Sequence, residues 1–249
     1  MKFIALIPAR FGSSRFPGKP LAPILGTPLI QWTYEQALEV QGLNGVWVAT
    51  DDERIRECVE NFGGQAVMTR EDHPSGSDRL AEAARRLDLA PEDIVINIQG
   101  DQPVFPPELI SRLAGVLARD PEVVMVTPVR RLSDAKAAAN PNVVKVVFDR
   151  AGRALYFSRS PLPFWREGGQ PYFYKHIGIY GYRVQFLQEF VHLPPGRWEA
   201  AEKLEQLRAL EHGFPIHIVE TDKDTREVDS LEDLREVEKF LQNQGLPGK

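Results

Sequence analysis

The sequence predicts an α/β fold: a central, mostly parallel sheet with helices on both faces and a smaller β-rich region beside it. Two observations carry this prediction. Short apolar runs rich in β-branched residues alternate with segments of helical period through the first half of the chain, and strands separated by helices imply right-handed crossovers that cover both faces of a sheet. The first of these runs, Lys2–Ile7, empties into a loop crowded with Gly, Ser, Pro and basic residues. A loop after a buried parallel strand sits at the carboxyl edge of the sheet, where open α/β folds bind ligands.

The elements follow in order. Pro28–Val40 reads as a helix, with Ile30, Tyr34, Ala37 and Leu38 at helical spacing. Gly45–Thr50 is a strand, and Asp52–Phe62 a helix with Ile55, Val59 and Phe62 on one face. A short strand at Gln65–Met68 and a helix over Asp78–Leu87 come next. Ile94–Ile98 is a buried strand that ends at Gln99-Gly100-Asp101, followed by a helix over Pro107–Leu117 and a strand at Val123–Val129. Val143–Phe148 and Ala154–Phe157 form a hairpin around the turn residues Asp149–Gly152. Trp165–Pro171 is a loop, and His176–Tyr182 a strand weakened by its glycines. Glu199–Glu211 is a helix striped by Ala200, Leu204, Leu207 and Leu210. Ile216–Val219 is the last strand and Ser230–Leu241 the last helix, and the polar tail from Gln242 to Lys249 is expected to fray.

Composition narrows the function. A chain of 249 residues at 43% hydrophobic and 26% charged has enough apolar material for a sizeable core. A net charge of -5 speaks against a nucleic-acid binder, which carries a basic excess. Cys58 stands alone, so neither an intrachain disulfide nor a cysteine zinc site can be built. Met1 leads straight into a strand pattern without a leader-like segment, and no stretch reaches the length of a membrane span. The expectation is a cytoplasmic protein with no membrane contact.

The loop Pro8–Pro20 carries the strongest chemical signal. Its glycines allow close backbone approach, and Arg10, Arg15 and Lys19 supply positive charge suited to a polyphosphate. Its spacing matches neither the Walker loop nor the dinucleotide fingerprint. Asp101, at the tip of the buried strand, faces the same crevice; it either caps a turn or helps hold a hard cation such as Mg²⁺. Asp229, just before Ser230, reads locally as a helix-start residue. Arg79 follows the polar loop Ser75–Asp78 into a helix, a place for an anion or for a solvated side chain. Arg159 follows an apolar strand, and His176 and Tyr180 alternate along another and share a face. Glu205 and Gln206 lie off the leucine stripe, toward solvent or a cleft.

These segments together resemble the 3-deoxy-manno-octulosonate (Kdo) cytidylyltransferases from Ile4 to about Phe240. The matching stretches are Pro8–Pro20, Ala49–Asp51, Met68–Gly76, Ile96–Asp101 and Asn140–Val147. In the second half Ala154–Arg159, His176–Arg183, Leu204–Arg208 and Val228–Leu234 narrow the match to the Kdo enzymes. The resemblance implies a Rossmann-like nucleotide-diphospho-sugar transferase fold and transfer of CMP from CTP to Kdo, with release of pyrophosphate, for lipopolysaccharide assembly. It implies a nucleotide-binding region over 1–129, a β-rich sugar-binding and dimerisation region over 130–198, and a returning segment over 199–249. Arg10, Arg15 and Lys19 would hold the triphosphate, Ala9 would lie near the cytosine, and Arg79 and Gln99 would define the base and sugar end of CTP. Asp101 and Asp229 would bind Mg²⁺, making them catalytic with Arg15 and Lys19. Arg159, His176, Tyr180, Glu205 and Gln206 would line the Kdo pocket, Arg159 meeting the sugar carboxylate. A homodimer is implied.

The chain departs from the pattern in having Gln102 where relatives often have Glu, and Ser77-Asp78-Arg79 where they have Thr-Glu-Arg. The first change removes a carboxylate beside Asp101, so position 102 receives no metal role. The competing readings are an acylneuraminate or sugar-1-phosphate transferase on the same scaffold, and a nucleotide-sensing domain without catalysis. The latter should have lost Asp101 and Asp229.

Overall fold

The computed structural model describes residues 1–12, 16–166 and 172–244. Strand β1 (Phe3–Ala9) leads through a 3₁₀ turn at Lys19–Leu21 to the small hairpin β2 (Pro23–Ile24) and β3 (Thr27–Pro28). Helix α1 (Leu29–Leu38), β4 (Gly45–Thr50), α2 (Glu53–Asn61), β5 (Ala66–Met68) and α3 (Gly76–Arg86) follow. Then come β6 (Ile94–Asn97), α4 (Pro107–Arg119), β7 (Met125–Leu132) and α5 (Ala135–Ala139). The second half adds β8 (Lys145–Phe148), β9 (Ala154–Ser158), β10 (Phe173–His176), β11 (Tyr180–Arg183) and α6 (Val184–Phe190). It closes with α7 (Arg197–Glu202), α8 (Leu207–Glu211), β12 (His217–Thr221) and α9 (Leu231–Asn243).

Among the described residues ten strands form one sheet in the order β5-β4-β1-β6-β11-β7-β10-β8-β9, with β12 pairing β7. The half that carries the first crossovers, β5-β4-β1-β6, is parallel throughout, and β12 returns parallel to β7. The β-rich strands continue the same sheet in antiparallel pairing, the hairpin β8–β9 with a register shift at Val147/Phe148.

Alternation along β1 sorts the core. Ala5, Ile7 and Ala9 pack with α1, α2 and α4 on one face, while Ile4 and Leu6 pack with α3, α6 and α8 on the other. A third cluster joins Ile24, Leu29 and Trp32 to Val228, Val237 and Leu241, so that α9 closes over the hairpin β2–β3. That packing brings the segment before α9 back to the first loop.

Two expected elements are broken. The single strand over His176–Tyr182 is two strands, interrupted at Ile177–Ile179, where Ile177 N–H and Ile179 N–H bond to carbonyls outside the ladder pattern. The single helix over Glu199–Glu211 is two short helices, because Lys203 takes a left-handed conformation (φ 54°) and ends α7. Helix α3 starts at Gly76 rather than Asp78, since the Ser75 hydroxyl already caps it by accepting from Asp78 N–H (3.3 Å).

Candidate active site

The site forms where the carboxyl ends of β1 and β6 meet the loop after β1. The chain must come very close here: a Cβ on Gly100 would lie 2.9 Å from the Pro8 carbonyl oxygen. Gly18, at φ +71°, donates its N–H to the Phe11 carbonyl (3.0 Å) and delivers Lys19 to the crevice. The result is a cavity of about 390 Å³ whose wall includes Ala9, Arg10, Lys19, Gln99, Asp101 and Asp229. Its rim also carries Ser75 and Gly76 from the first turn of α3, whose amide end favours an anion. Arg15 lies outside the described residues.

Asp101 and Asp229 come from distant parts of the chain and converge on one cation of the protein itself. The Lys19 ammonium is 2.5 Å from Asp101 Oδ2 and 3.4 Å from Asp229 Oδ1. Both side chains are hard oxygen donors that meet at one point, the donor type of Mg²⁺, which takes one or two carboxylates with water and phosphate oxygens. Among the described residues no group of three or more His, Cys, Asp or Glu forms a closed cage.

Arg79 also borders this cavity, but its guanidinium is largely committed to the scaffold. It is 4% exposed, donating to Asp51 Oδ2 at 2.8 Å and to Thr69 Oγ1 at 2.5 Å. Gln99 is turned by its Nε2, which donates to Asn97 Oδ1 (3.3 Å). His73 lines the same wall and is braced by Glu82. Burial alone would raise the Glu82 carboxyl, but the Arg70 amide, His73 and Arg86 outweigh it and hold it at about 2.

A second cavity of about 360 Å³ shares Asp229 with the first and is lined by His176, Gln206, Thr225 and Glu227 among others. His176 is buried, and its Nε2 meets Thr127 Oγ1 at 3.0 Å. The Thr127 hydroxyl has the Ile179 carbonyl at 2.8 Å as its acceptor, so Nε2–H of a neutral imidazole is the donor to Thr127. Burial, then the charge of Lys175, depresses this histidine to about 3. Tyr180 packs its ring 5.3 Å from His176 and 5.8 Å from Tyr182, and burial pushes its hydroxyl well above the usual range. His176 and Tyr180 meet through the break between β10 and β11, not by alternation along one strand.

The break at Lys203 explains Glu205 and Gln206. Glu205 Oε2 accepts from the Ser77 hydroxyl at 2.8 Å, and burial raises its carboxyl against the hydrogen bonds of Ser75 and Ser77. Gln206 is 5% exposed and faces the second cavity, with a buried Nε2 that has no partner among the described residues. Arg159 does not border either cavity. Its guanidinium donates to the carbonyls of Glu202 (2.7 Å), Pro141 (2.9 Å) and Lys203 (3.4 Å), fastening the end of α7. Beneath it Lys145, fully buried, donates to the carbonyls of Asn140, Val143 and Arg159.

Sequence reading missed Glu227 and gave Gln102 no role at the site. Gln102 is wholly buried and its Nε2 donates to Glu227 Oε1 at 3.0 Å. Burial, then the Asp101 charge, raises the Glu227 carboxyl. The available signal was position alone: one residue follows Asp101, the other precedes Asp229 by two.

Over residues 4–242 the chain matches the family described as Cytidylyltransferase. It is 53% identical over 242 residues to a 3-deoxy-manno-octulosonate cytidylyltransferase of Syntrophobacter fumaroxidans, covering 95% of this chain and 96% of that protein. It is 52% identical over 236 residues to an 8-amino-3,8-dideoxy-manno-octulosonate cytidylyltransferase of Shewanella halifaxensis, covering 94% and 96%. Among solved structures, a CMP:2-keto-3-deoxy-manno-octonic acid synthetase complexed with CTP superposes with a TM-score of 0.93 at 44% identity, covering 98% of this chain and 100% of that one.

Proposed function

The chain belongs to the cytidylyltransferase family, and from that premise we propose that it activates Kdo by transferring CMP from CTP, releasing pyrophosphate. The observation that carries the reading is the pair Asp101 and Asp229 at one cationic point, with Asp229 on the wall of both cavities. CTP takes the first cavity and Kdo the second, so the reacting atoms meet over Asp229. Curated relatives and a CTP-bound structure bearing this activity support the assignment.

The anomeric hydroxyl of Kdo attacks the α-phosphorus of CTP as the bond to the β-phosphate breaks. This chemistry depends on alignment and charge neutralisation and uses no covalent enzyme intermediate. Asp101 and Asp229 supply the hard oxygens for Mg²⁺, which when bound polarises the α-phosphate and acidifies the attacking hydroxyl. Lys19 moves from the carboxylates to the triphosphate and, with Arg10 and Arg15, neutralises the leaving pyrophosphate. Ser75 and Gly76 offer amide dipoles to the nucleotide. On the sugar side, neutral His176 and the Gln206 Nε2, which has no partner among the described residues, provide uncharged polar groups for a polyhydroxylated ring. Glu205 and Tyr180 border neither cavity and act from behind, Tyr180 against the His176 ring and Glu205 on Ser77, and Arg159 sets the loop that presents Gln206.

Homodimerisation through the β-rich region and a cytoplasmic location complete the reading. Exposed Leu155 and Phe164 support the first. For the second, the support is a CTP substrate and the lack, among the described residues, of a helix long and apolar enough to cross a membrane.

Relatives named for the 8-amino sugar give a second reading that differs only at C8 of the substrate. The test is pyrophosphate release from each of the four common nucleoside triphosphates, with Kdo, 8-amino-3,8-dideoxy-Kdo, N-acetylneuraminate or a hexose 1-phosphate. CTP with Kdo should give the highest kcat/KM. A higher value with the amino sugar transfers the assignment to it, and release with none of the ulosonic acids refutes both.

A further inference from the structure

Resting on that reading, we propose that Gln102 and Glu227 are a positioning pair that fixes the separation of the Asp101 and Asp229 carboxylates. Asp101 sits at the tip of a central strand, whereas Asp229 ends a stretch after β12 that belongs to no strand. Two backbone bonds tie that stretch down: Val228 N–H to the Asp101 carbonyl and Arg226 N–H to the Val104 carbonyl, both 2.9 Å. Between them the Gln102 amide donates to Glu227 Oε1 at 3.0 Å, a side-chain bond that bridges the two segments. Gln102 has no exposed surface, and its Oε1 has no partner among the described residues, so this bond alone orients the amide.

A buried amide and carboxylate are a costly way to fill space, because each loses water and an apolar pair would pack without that loss. What the polar pair adds is direction. It fixes the backbone on the inner side of each metal-directed carboxylate, as outer-shell hydrogen bonds do around metal ligands. Glutamine at position 102 suits Glu227: an amide bonds this carboxylate, where a second carboxylate would repel it.

The test uses Mn²⁺ as the probe, its affinity for the full-length enzyme read by electron paramagnetic resonance with CTP and without Kdo. The variants are Gln102→Met, Glu227→Met, both together, and the reversed pair Gln102→Glu with Glu227→Gln. Each methionine variant should weaken Mn²⁺ by about tenfold, the usual scale for losing an outer-shell partner. The double methionine variant should lose no more than the singles, and the reversed pair should return within about threefold of wild type, as for residues acting as a unit. In turnover of Gln102→Met, whose side chain borders neither cavity, kcat should fall with Mn²⁺ affinity while the KM for Kdo stays put. Single variants that bind Mn²⁺ like wild type overturn the proposal, as does a folded reversed pair as weak as the singles. A raised KM for Kdo in Gln102→Met at unchanged Mn²⁺ affinity also overturns it. A wild-type enzyme that binds no Mn²⁺ with CTP refutes the functional reading itself.

Discussion

The Lys19 ammonium lies 2.5 Å from Asp101 and 3.4 Å from Asp229, so a single side-chain cation holds two carboxylates that the sequence keeps far apart. The same group must neutralise phosphate charge once CTP enters, so it acts in both states. Lys19→Met should therefore lower kcat/KM for CTP by about 10²-fold or more, the scale of removing one preorganised charge-stabilising donor. Steady-state pyrophosphate release checks this, and a loss under tenfold would remove Lys19 from the machinery.

Arg79 and Asp51 make a buried ion pair, with Arg79 also on Thr69. Removing one partner of such a pair leaves an uncompensated charge, a loss of about 3–5 kcal/mol. Asp51→Ala should lower unfolding stability by that amount in urea, and Asp51→Asn by less because a hydrogen bond survives.

His176 predicts a pH dependence. Its folded value of about 3 lies below the ordinary 6.5, so between these limits the unfolded chain binds the extra proton. The stability associated with neutral His176 is complete above pH 6.5 and drains away as pH falls toward 3. Urea midpoints measured from pH 7 to pH 4 should drop, and His176→Gln should flatten that slope. An unchanged slope would remove His176 as its source. Glu82 adds a separate loss at lower pH, from its ordinary 4.5 down to about 2.

Arg159 is bonded to three carbonyls at the end of α7, next to the turn that carries Glu205 and Gln206. Arg159→Met should raise the KM for Kdo by about tenfold or more, given ~1.5–3 kcal/mol per hydrogen bond to a charged group. The KM for CTP should change by less than about twofold, since distant sites are independent. Equal increases in both constants would contradict the assignment to the sugar side.

Much of this was legible from periodicity. The crossover half of the sheet and its helices follow from local patterns, and β4 begins and ends at the expected residues. The first loop announced itself by composition, because a Gly-rich basic loop after a buried strand has few other uses. What periodicity could not show was convergence. Asp229 looks like a cap residue, and tertiary contacts carry it to Asp101: the packing of α9 on the hairpin β2–β3 and the bond from Val228 N–H to the Asp101 carbonyl. The break at Lys203 was hidden because the leucine stripe continues on both sides of it, and a left-handed lysine leaves no mark in the sequence. The tie between Gln102 and Glu227 is a tertiary contact with no local signature.

The most direct measurement is pyrophosphate release from CTP and Kdo, at saturating Mg²⁺, by Asp101→Asn and Asp229→Asn. Each substitution should lower kcat by about 10³-fold, as expected when a group acting on the transferring phosphate is lost, with the thermal midpoint of the folded protein preserved. Turnover within about tenfold of wild type in either variant would contradict the account.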